Sequence, residues 1–284
     1  MNYEEFVCAM VECTRKKLLD SESVERKEIR KNNGVTEQGI LIRKKGHNIA
    51  PIVYMEGFYE KYQLGVTLDS LSDFLLRKAR ENPLIPTDQY QNMLEFSKVC
   101  HQIVYKIINA EKNTDLLKEV PHLPILDFAI VFYWTVPVNE EETGAVLIRN
   151  THMEHWKLPI SVLYEYAKEN TARLCPPIFG SLSEMIGEIP AEVPLYILSN
   201  EQGIYGAAAI LYPELPQKIY EKLGGNYYLL PSSVHEFLII PEEAGETPEQ
   251  LKAIVREVNR TEIREEEFLS DHIYYFNGDN ITKM

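Results

Sequence analysis

The sequence predicts an α+β fold, in which antiparallel sheets built from strand-pair-plus-helix units carry helices packed on the sheet faces. Short strand-like segments separated by turn residues recur along the chain, and segments with helical spacing of apolar residues follow them. Hydrophobic residues make up 45% of the 284 residues and charged residues 25%. This composition is that of a globular protein with a packed core rather than of a disordered chain.

The N-terminal part is predicted to begin with a helix and a three-stranded meander. Apolar residues at three-to-four spacing predict a helix over residues 3–19. The segments 24–31 and 39–43 are the first two strand candidates, and Asn32-Asn33-Gly34 between them is a turn signal. A third strand is predicted over 48–54, where Pro51 is typical of a sheet edge or a bulge. Short strands joined by short turns favour an antiparallel meander.

Two helices are predicted to follow the meander. Thr67 is expected to cap the first, which continues to about Arg80. Apolar spacing predicts a longer helix over 96–118. We therefore expect an N-terminal region over 1–120 and a region of mixed β-β-α units over 121–284, which together can pack as one domain.

The C-terminal part alternates strand and helix signals. Thr247 opens a helix with a proline inside the first turn and Gln250 at capping-box spacing. Gly224 and Gly225 are placed to end another helix. The predicted strands are 125–136, 144–148, 195–198, 206–211, 227–230, 236–240 and 273–276, and the predicted helices are 159–169, a short one opening at the capping-box pattern of 181–184, 213–223 and 247–259.

The charge balance disfavours several classes of partner. The chain carries 29 basic and 43 acidic residues, a net charge of −14. A negative surface repels phosphate backbones and anionic lipid headgroups, so we expect neither nucleic-acid nor membrane binding. A basic protein partner fits this charge.

Cysteine use and the N-terminus indicate the compartment. The four cysteines form no CxxC pair and are too few for a disulfide scaffold in a chain of this length. The first residues are acidic where a signal peptide is basic, and the most apolar run is far shorter than a membrane helix. We therefore expect a cytoplasmic protein.

The chain resembles one family over nearly its whole length. The matching segments are Lys31-Asn-Asn-Gly-Val35, Asn48-Ile-Ala-Pro51, Leu198-Ser-Asn200, Gly206-Ala-Ala-Ala-Ile-Leu-Tyr-Pro213, Leu230-Pro-Ser-Ser-Val-His-Glu236, Val255-Arg-Glu-Val-Asn259 and Leu269-Ser-Asp271. This set is similar to the domain-of-unknown-function family 5688, found mainly in anaerobic gut bacteria. The resemblance implies a cytoplasmic bacterial protein and supplies neither an activity nor catalytic residues.

The segment 231–236 carries the most chemical groups. Ser232, Ser233, His235 and Glu236 place hydroxyls, an imidazole and a carboxylate within a few residues. Strand alternation would put Ser233 and His235 on one face, where a base can activate a nucleophile. The alternative interpretation is a turn whose hydroxyls bond to the backbone. The GxSxG pattern of nucleophile elbows is absent.

Asp271 and His272 could complete such a site with His235 across the fold, although they also fit a loop that leads into a strand.

His152 and His155, three apart with Glu154 between them, suggest a metal, but HExxH spacing and a third ligand are absent. The patterns GxGxxG and GxxxxGK[ST] are also absent. We therefore predict neither a metal nor a cofactor site.

Two functions follow from these observations. The first is a non-enzymatic binding or regulatory protein with an acidic surface. Tyrosines such as Tyr59, Tyr62, Tyr227 and Tyr228 could form an exposed aromatic surface suited to a protein partner, although half-buried sheet positions explain them equally well. The alternative is a hydrolase-type enzyme that uses His235 with Ser232 or Ser233 and Glu236.

Overall fold

The structure is a computed structural model, and it describes residues 1–45, 52–81, 92–137, 143–183 and 194–284. Three antiparallel sheets and several helices in these residues confirm the predicted α+β fold. The helices are α1 (Tyr3–Arg15), α2 (Glu56–Gln63), α3 (Leu68–Glu81), α4 (Phe96–Val99), α5 (Thr114–Leu117), α6 (Asn150–Trp156), α7 (Ile160–Leu174), α8 (Leu215–Leu223) and α9 (Pro248–Thr261). The strands are β1 (Glu22–Arg30), β2 (Thr36–Lys44), β3 (Ile52–Tyr54), β4 (Ile103–Asn109), β5 (His122–Ile125), β6 (Phe128–Pro137), β7 (Thr143–Leu147), β8 (Pro177–Ser181), β9 (Tyr196–Asn200), β10 (Tyr227–Ser233), β11 (Glu236–Pro241), β12 (Tyr274–Phe276) and β13 (Ile281–Lys283).

The chain forms two compact units. The first consists of Met1–Lys31, Val35–Glu95 and Val136–Gly144, and the second consists of Asn32–Gly34, Phe96–Thr135 and Ala145–Met284. The boundary expected near residue 120 stays a prediction. No helix in the described part of the chain is both long and apolar enough to cross a membrane.

The first unit contains the predicted meander. Its three strands lie in the order β1-β2-β3, all antiparallel. Asn2 and Glu5 form a capping box that starts α1, and Phe6 and Met10 on the buried face of α1 are fully buried in the core of this unit. The hydroxyl of Thr67 accepts the backbone N–H of Ser70 at 3.3 Å, as the predicted cap of α3 requires.

The second unit contains two sheets. One has the strand order β4-β6-β5 with β7 paired to β6, and the other has the order β13-β12-β10-β11-β9-β8. Asn170 and Thr171 of α7 bond to the backbone of the first sheet's edge, at Ile103 and Tyr105. Helix α9 packs Leu251 and Val255 against the second sheet. The predicted capping box at Thr247 and the left-handed cap at Gly224 are both present.

The helix predicted over 96–118 is wrong. The α-helices in this range are Phe96–Val99, which continues into a 3₁₀ helix at Cys100–Gln102, and Thr114–Leu117, and a strand occupies Ile103–Asn109 between them. Spacing alone misleads here, because Ile103 and Ile107 lie on one face of a helix and also on one face of a strand. The segment is rich in β-branched residues, and nearly every position is buried, as in a strand covered on both faces.

The strand predicted over 206–211 is also wrong, since Gly206–Leu211 forms a 3₁₀ helix. Its residues up to Ile210 are buried, so the apolar run reflects packing on all sides rather than a strand. The strand predicted over 125–136 is confirmed from Phe128 onward as β6, whereas Ile125 ends β5 and Leu126 adopts the left-handed conformation at the turn between the two strands.

The short helix predicted to open at 181–184 is supported at its start. Ser181 is the last residue of β8, and residues 182 and 183 directly after it are helical, whereas Glu184 lies outside the described residues, so the capping box itself stays a prediction. Of the strand predicted over 48–54, the structure confirms Ile52–Tyr54, and residues 48–51 lie outside the described part.

Candidate functional sites

The segment that the sequence singles out forms the hairpin turn between β10 and β11. Ser233 pairs with Glu236 in the antiparallel register, and the register shifts between Pro231 and Ser233. The backbone N–H of His235 donates to the Ser233 hydroxyl at 3.0 Å. Ser233 is buried, so its hydroxyl stabilises the turn and is poorly accessible to a substrate.

The ring of His235 contacts Tyr205 and Glu267 in the second unit. Its Nδ1 accepts the backbone N–H of Tyr205 at 3.0 Å, and its ring centroid lies 5.5 Å from that of Tyr205. Its Nε2 lies 3.7 Å from Oε1 of Glu267. Since Nδ1 accepts a hydrogen bond, the ring proton is on Nε2 and faces the carboxylate. The geometry therefore provides an oriented imidazole beside an acid.

The backbone around His235 is closely packed. The Ser199 hydroxyl donates to the carbonyl of His235 at 2.8 Å. A Cβ at Gly206 would lie 2.3 Å from Ser199 Oγ and 2.6 Å from the His235 carbonyl oxygen, which explains the glycine at this position. Ser232 and Glu236 are half-buried.

Asp271 and His272 lie in a different group of side chains. Asp271 is exposed and accepts a hydrogen bond from the Asn259 amide at 2.9 Å. Nδ1 of His272 lies 3.2 Å from Oδ2 of Asp127. No hydrogen bond or ion pair joins His235 to Asp271 or His272 among the described residues, so a joint site of these three stays a prediction.

Asp127 is the centre of that second group. Its Oδ1 accepts the hydroxyl of Tyr274 at 2.7 Å, and its Oδ2 accepts the hydroxyl of Ser270 at 2.8 Å. Burial and the bond to Asp127 raise the pKa of Tyr274. Ser270 is buried, and its hydroxyl is 3.3 Å from Nδ1 of His272. A serine, a histidine and an aspartate thus meet, but the serine donates to the aspartate and is closed to substrate.

His152 on α6 makes contacts that stabilise the start of this helix. Nδ1 of His152 accepts the backbone N–H of Arg149 at 2.9 Å, and its ring stacks on Trp156 with centroids 5.9 Å apart. Burial and the charge of Arg149 lower the pKa of His152. Among the residues that the structure describes, no group of three histidine, cysteine, aspartate or glutamate side chains could hold a metal.

Sequence reasoning missed a lysine held between aromatic rings beside His235. Nζ of Lys106 on β4 lies 3.6 Å from the ring centroid of Tyr205 and 3.9 Å from that of Tyr133. Removal of the amine from water lowers the pKa of Lys106 to about 8, and Cys175 opposes this shift. In the sequence, Lys106 is a single charged residue within the apolar run 103–108. The helix predicted over this run gave no reason to expect that its side chain is buried.

An acidic groove in the first unit was also missed. It has a volume of about 260 Å³ and is lined by Tyr3, Thr36, Glu37, Glu56, Tyr59 and Glu60. Glu37 pairs through Oε1 with Lys31 at 2.6 Å, whereas its buried Oε2 has no hydrogen-bond partner among the described residues. Burial, followed by the charges of Glu37 and Glu56, raises the pKa of Tyr3.

A larger groove of about 510 Å³ in the same unit is lined mostly by basic residues. Lys17 contacts Asp73 at 2.7 Å and Arg80 contacts Glu22 at 2.7 Å, whereas Arg77 lies over the ring of Phe74. Two of the three basic side chains of this groove are thus paired with carboxylates.

Comparison with known proteins identifies the family. A family model described as "Family of unknown function (DUF5688)" matches residues 3–278. The chain belongs to the DUF5688 family. No curated protein matches the chain. No solved structure matches it.

Membership of the DUF5688 family confirms the resemblance found in the sequence, and the match includes both compact units. The family description assigns no activity.

Proposed function

We propose that this DUF5688 protein is a non-enzymatic binding protein whose acidic groove holds a cationic side chain, lysine or arginine, of a basic protein partner. The observation that carries the proposal is the groove itself, in which three carboxylates and two tyrosines line one depression of about 260 Å³.

The charges of the groove favour a cation. Glu56 and Glu60 lie four residues apart on α2, an arrangement that destabilises a helix by like-charge repulsion. One oxygen of Glu37 is neutralised by Lys31, and the other is buried without a described partner. A bound ammonium or guanidinium group would relieve both costs.

The tyrosines add a second contribution. The rings of Tyr3 and Tyr59 meet edge to face with centroids 5.2 Å apart, and both are half-buried. Aromatic faces attract organic cations, by about 0.5–2 kcal/mol according to exposure. This combination of aromatic faces and carboxylates favours lysine or arginine side chains over a bare metal ion.

The test measures binding of a fluorescent hexalysine peptide to the full chain by anisotropy. Substitution of Glu56→Gln together with Glu60→Gln should weaken binding at least about tenfold, the effect of losing about 1.4 kcal/mol. The matched control is Glu165→Gln with Glu169→Gln on α7, which changes the net charge equally and has the same helical spacing. Equal weakening by both double variants would mean nonspecific attraction, and the groove proposal would fail.

The second candidate is a hydrolase-type activity around His235. The observation in its favour is the orientation of the ring, with Nδ1 fixed by Tyr205 and Nε2 3.7 Å from Glu267. Ser232, half-buried near the end of β10, is the proposed nucleophile, and Glu236 is the first residue of β11 on the other side of the turn. Hydrolysis of p-nitrophenyl acetate should then fall strongly with His235→Gln and with Ser232→Ala but not with His155→Gln. Equal rates in all variants would eliminate this candidate.

A further inference from the structure

Lys106 is a cationic residue inside a sheet, and no ion pair joins it to a carboxylate among the residues that the structure describes. It sits in β4, opposite Val131 of β6, and its side chain is half-buried. In the described part of the chain, its ammonium has neither an ion pair nor a hydrogen bond; its contacts are the faces of Tyr133 and Tyr205. Buried lysines without a carboxylate partner are uncommon and are associated with reactive amines.

The reactivity follows from the desolvation of the amine. Because the pKa of Lys106 is lowered to about 8, about a quarter of the amine is neutral at pH 7.5, compared with about a thousandth for an ordinary lysine. Only the neutral amine has a lone pair that attacks an electrophile. The residue is partly exposed, and the inference requires that a small molecule approaches the amine from this exposed side.

The surroundings of Lys106 show further signs of a functional site. Tyr205 has a φ of 54° in the left-handed region, a strained conformation for a tyrosine. The same residue contacts Lys106 with its ring and fixes His235 with its backbone N–H. His235 in turn faces Glu267. Tyr205 thus connects a reactive amine to an oriented imidazole and a carboxylate.

We propose that Lys106 is a covalent attachment site for a small carbonyl compound, an aldehyde or ketone, which it binds as an imine. The lone pair of Nζ attacks the carbonyl carbon, a C–N bond forms, and the oxygen takes up a proton to give a carbinolamine. The C–O bond then breaks and water leaves, so that one carbonyl compound and one amine give one imine and one water. The imine nitrogen then takes up a proton from water, and the faces of Tyr133 and Tyr205 stabilise the positive charge of the resulting iminium.

The proposal is tested by reductive alkylation of the full chain. Acetaldehyde, in limiting amount, and sodium cyanoborohydride convert an imine into an ethylated lysine, and peptide mass spectrometry measures the extent at each lysine. Lys168 is the internal reference, because its hydrogen bond with Glu165 raises its pKa. Lys106 should be ethylated at least about tenfold faster than Lys168 at pH 7, as their difference in neutral fraction predicts.

Two further measurements keep the test decisive. The rate at Lys106 should level off above about pH 8, whereas the rate at Lys168 should continue to rise through pH 10. Tyr205→Leu should reduce ethylation of Lys106 and leave Lys168 unchanged. If wild-type Lys106 reacts no faster than Lys168, or reacts only after the chain is unfolded, the proposal is overturned. This outcome is independent of hexalysine binding to the acidic groove.

Discussion

At the scale of single residues, the ring of His235 is oriented by the backbone N–H of Tyr205 and lies beside the carboxylate of Glu267. Ser233 and His235 were expected on one strand face, yet β10 ends at Ser233 and His235 lies in the turn, where alternation no longer applies. The partners Tyr205 and Glu267 are 30 or more positions away in sequence, and local patterns cannot reveal such pairings.

The buried amine of Lys106 should make stability depend on pH. Between pH 8 and 10.5 the unfolded chain binds more protons at this residue than the folded chain, so the free energy of unfolding rises with pH there and is constant below. Lys106→Met should therefore stabilise the protein below pH 8 by about 2 kcal/mol, since a pKa unit is about 1.4 kcal/mol and the aromatic contacts offset part of the cost.

Urea unfolding of wild type and Lys106→Met at a series of pH values measures this effect. The difference between the two proteins should shrink as the pH rises from 8 to 10, and titration of the tyrosines cancels in that difference. A difference that stays constant with pH would show that Lys106 is not desolvated as the structure has it.

Gly206 should not tolerate a side chain. A Cβ there would meet three atoms within 2.6 Å, two of them backbone atoms of Asn200 and His235. Because backbone cannot shift cheaply, we expect Gly206→Ala to lower the free energy of unfolding by about 1–3 kcal/mol. Gly225→Ala is the matched control, since a Cβ there meets nothing within 4 Å. Equal effects in urea unfolding would contradict the packing described around His235.

At the scale of elements, prediction succeeded where local chemistry decides the structure. Thr247 and Gly224 fix helix ends through their own hydrogen bonds and backbone conformation, and both were placed correctly. Prediction failed at Ile103–Asn109 and Gly206–Leu211, where residues are buried on all sides. A fully buried apolar run has no polar face, so its period cannot distinguish strand from helix.

The hydrogen bonds of Asp127 connect the β5–β6 turn to the segment that leads into β12. Asp127→Ala should remove acceptors from Tyr274 and Ser270, both buried, and so destabilise the protein by about 2–4 kcal/mol. Tyr274→Phe removes only one donor and should cost about 1 kcal/mol. Chemical denaturation of the two variants measures this order, and a larger loss from Tyr274→Phe would contradict the central role of the carboxylate.

At the scale of the whole molecule, the charge of −14 and the acidic groove act on different steps of binding. The net charge attracts a basic partner over distance and so sets the association rate, which salt reduces. Contacts inside the groove break only when the complex separates, so they set the dissociation rate. Composition could predict the first effect but not the second, because Glu37 and Glu56 meet only in the folded unit.

Kinetics with the two double variants should separate these effects. Glu56→Gln with Glu60→Gln and Glu165→Gln with Glu169→Gln each remove two negative charges, from −14 to −12, and should slow association of hexalysine to a similar, small extent. Only the groove variant should speed dissociation, by about tenfold for a loss of about 1.4 kcal/mol. Stopped-flow measurements at low and high salt give both rates. If the groove variant changes only the association rate, attraction by the whole molecule explains binding and the groove has no part in it.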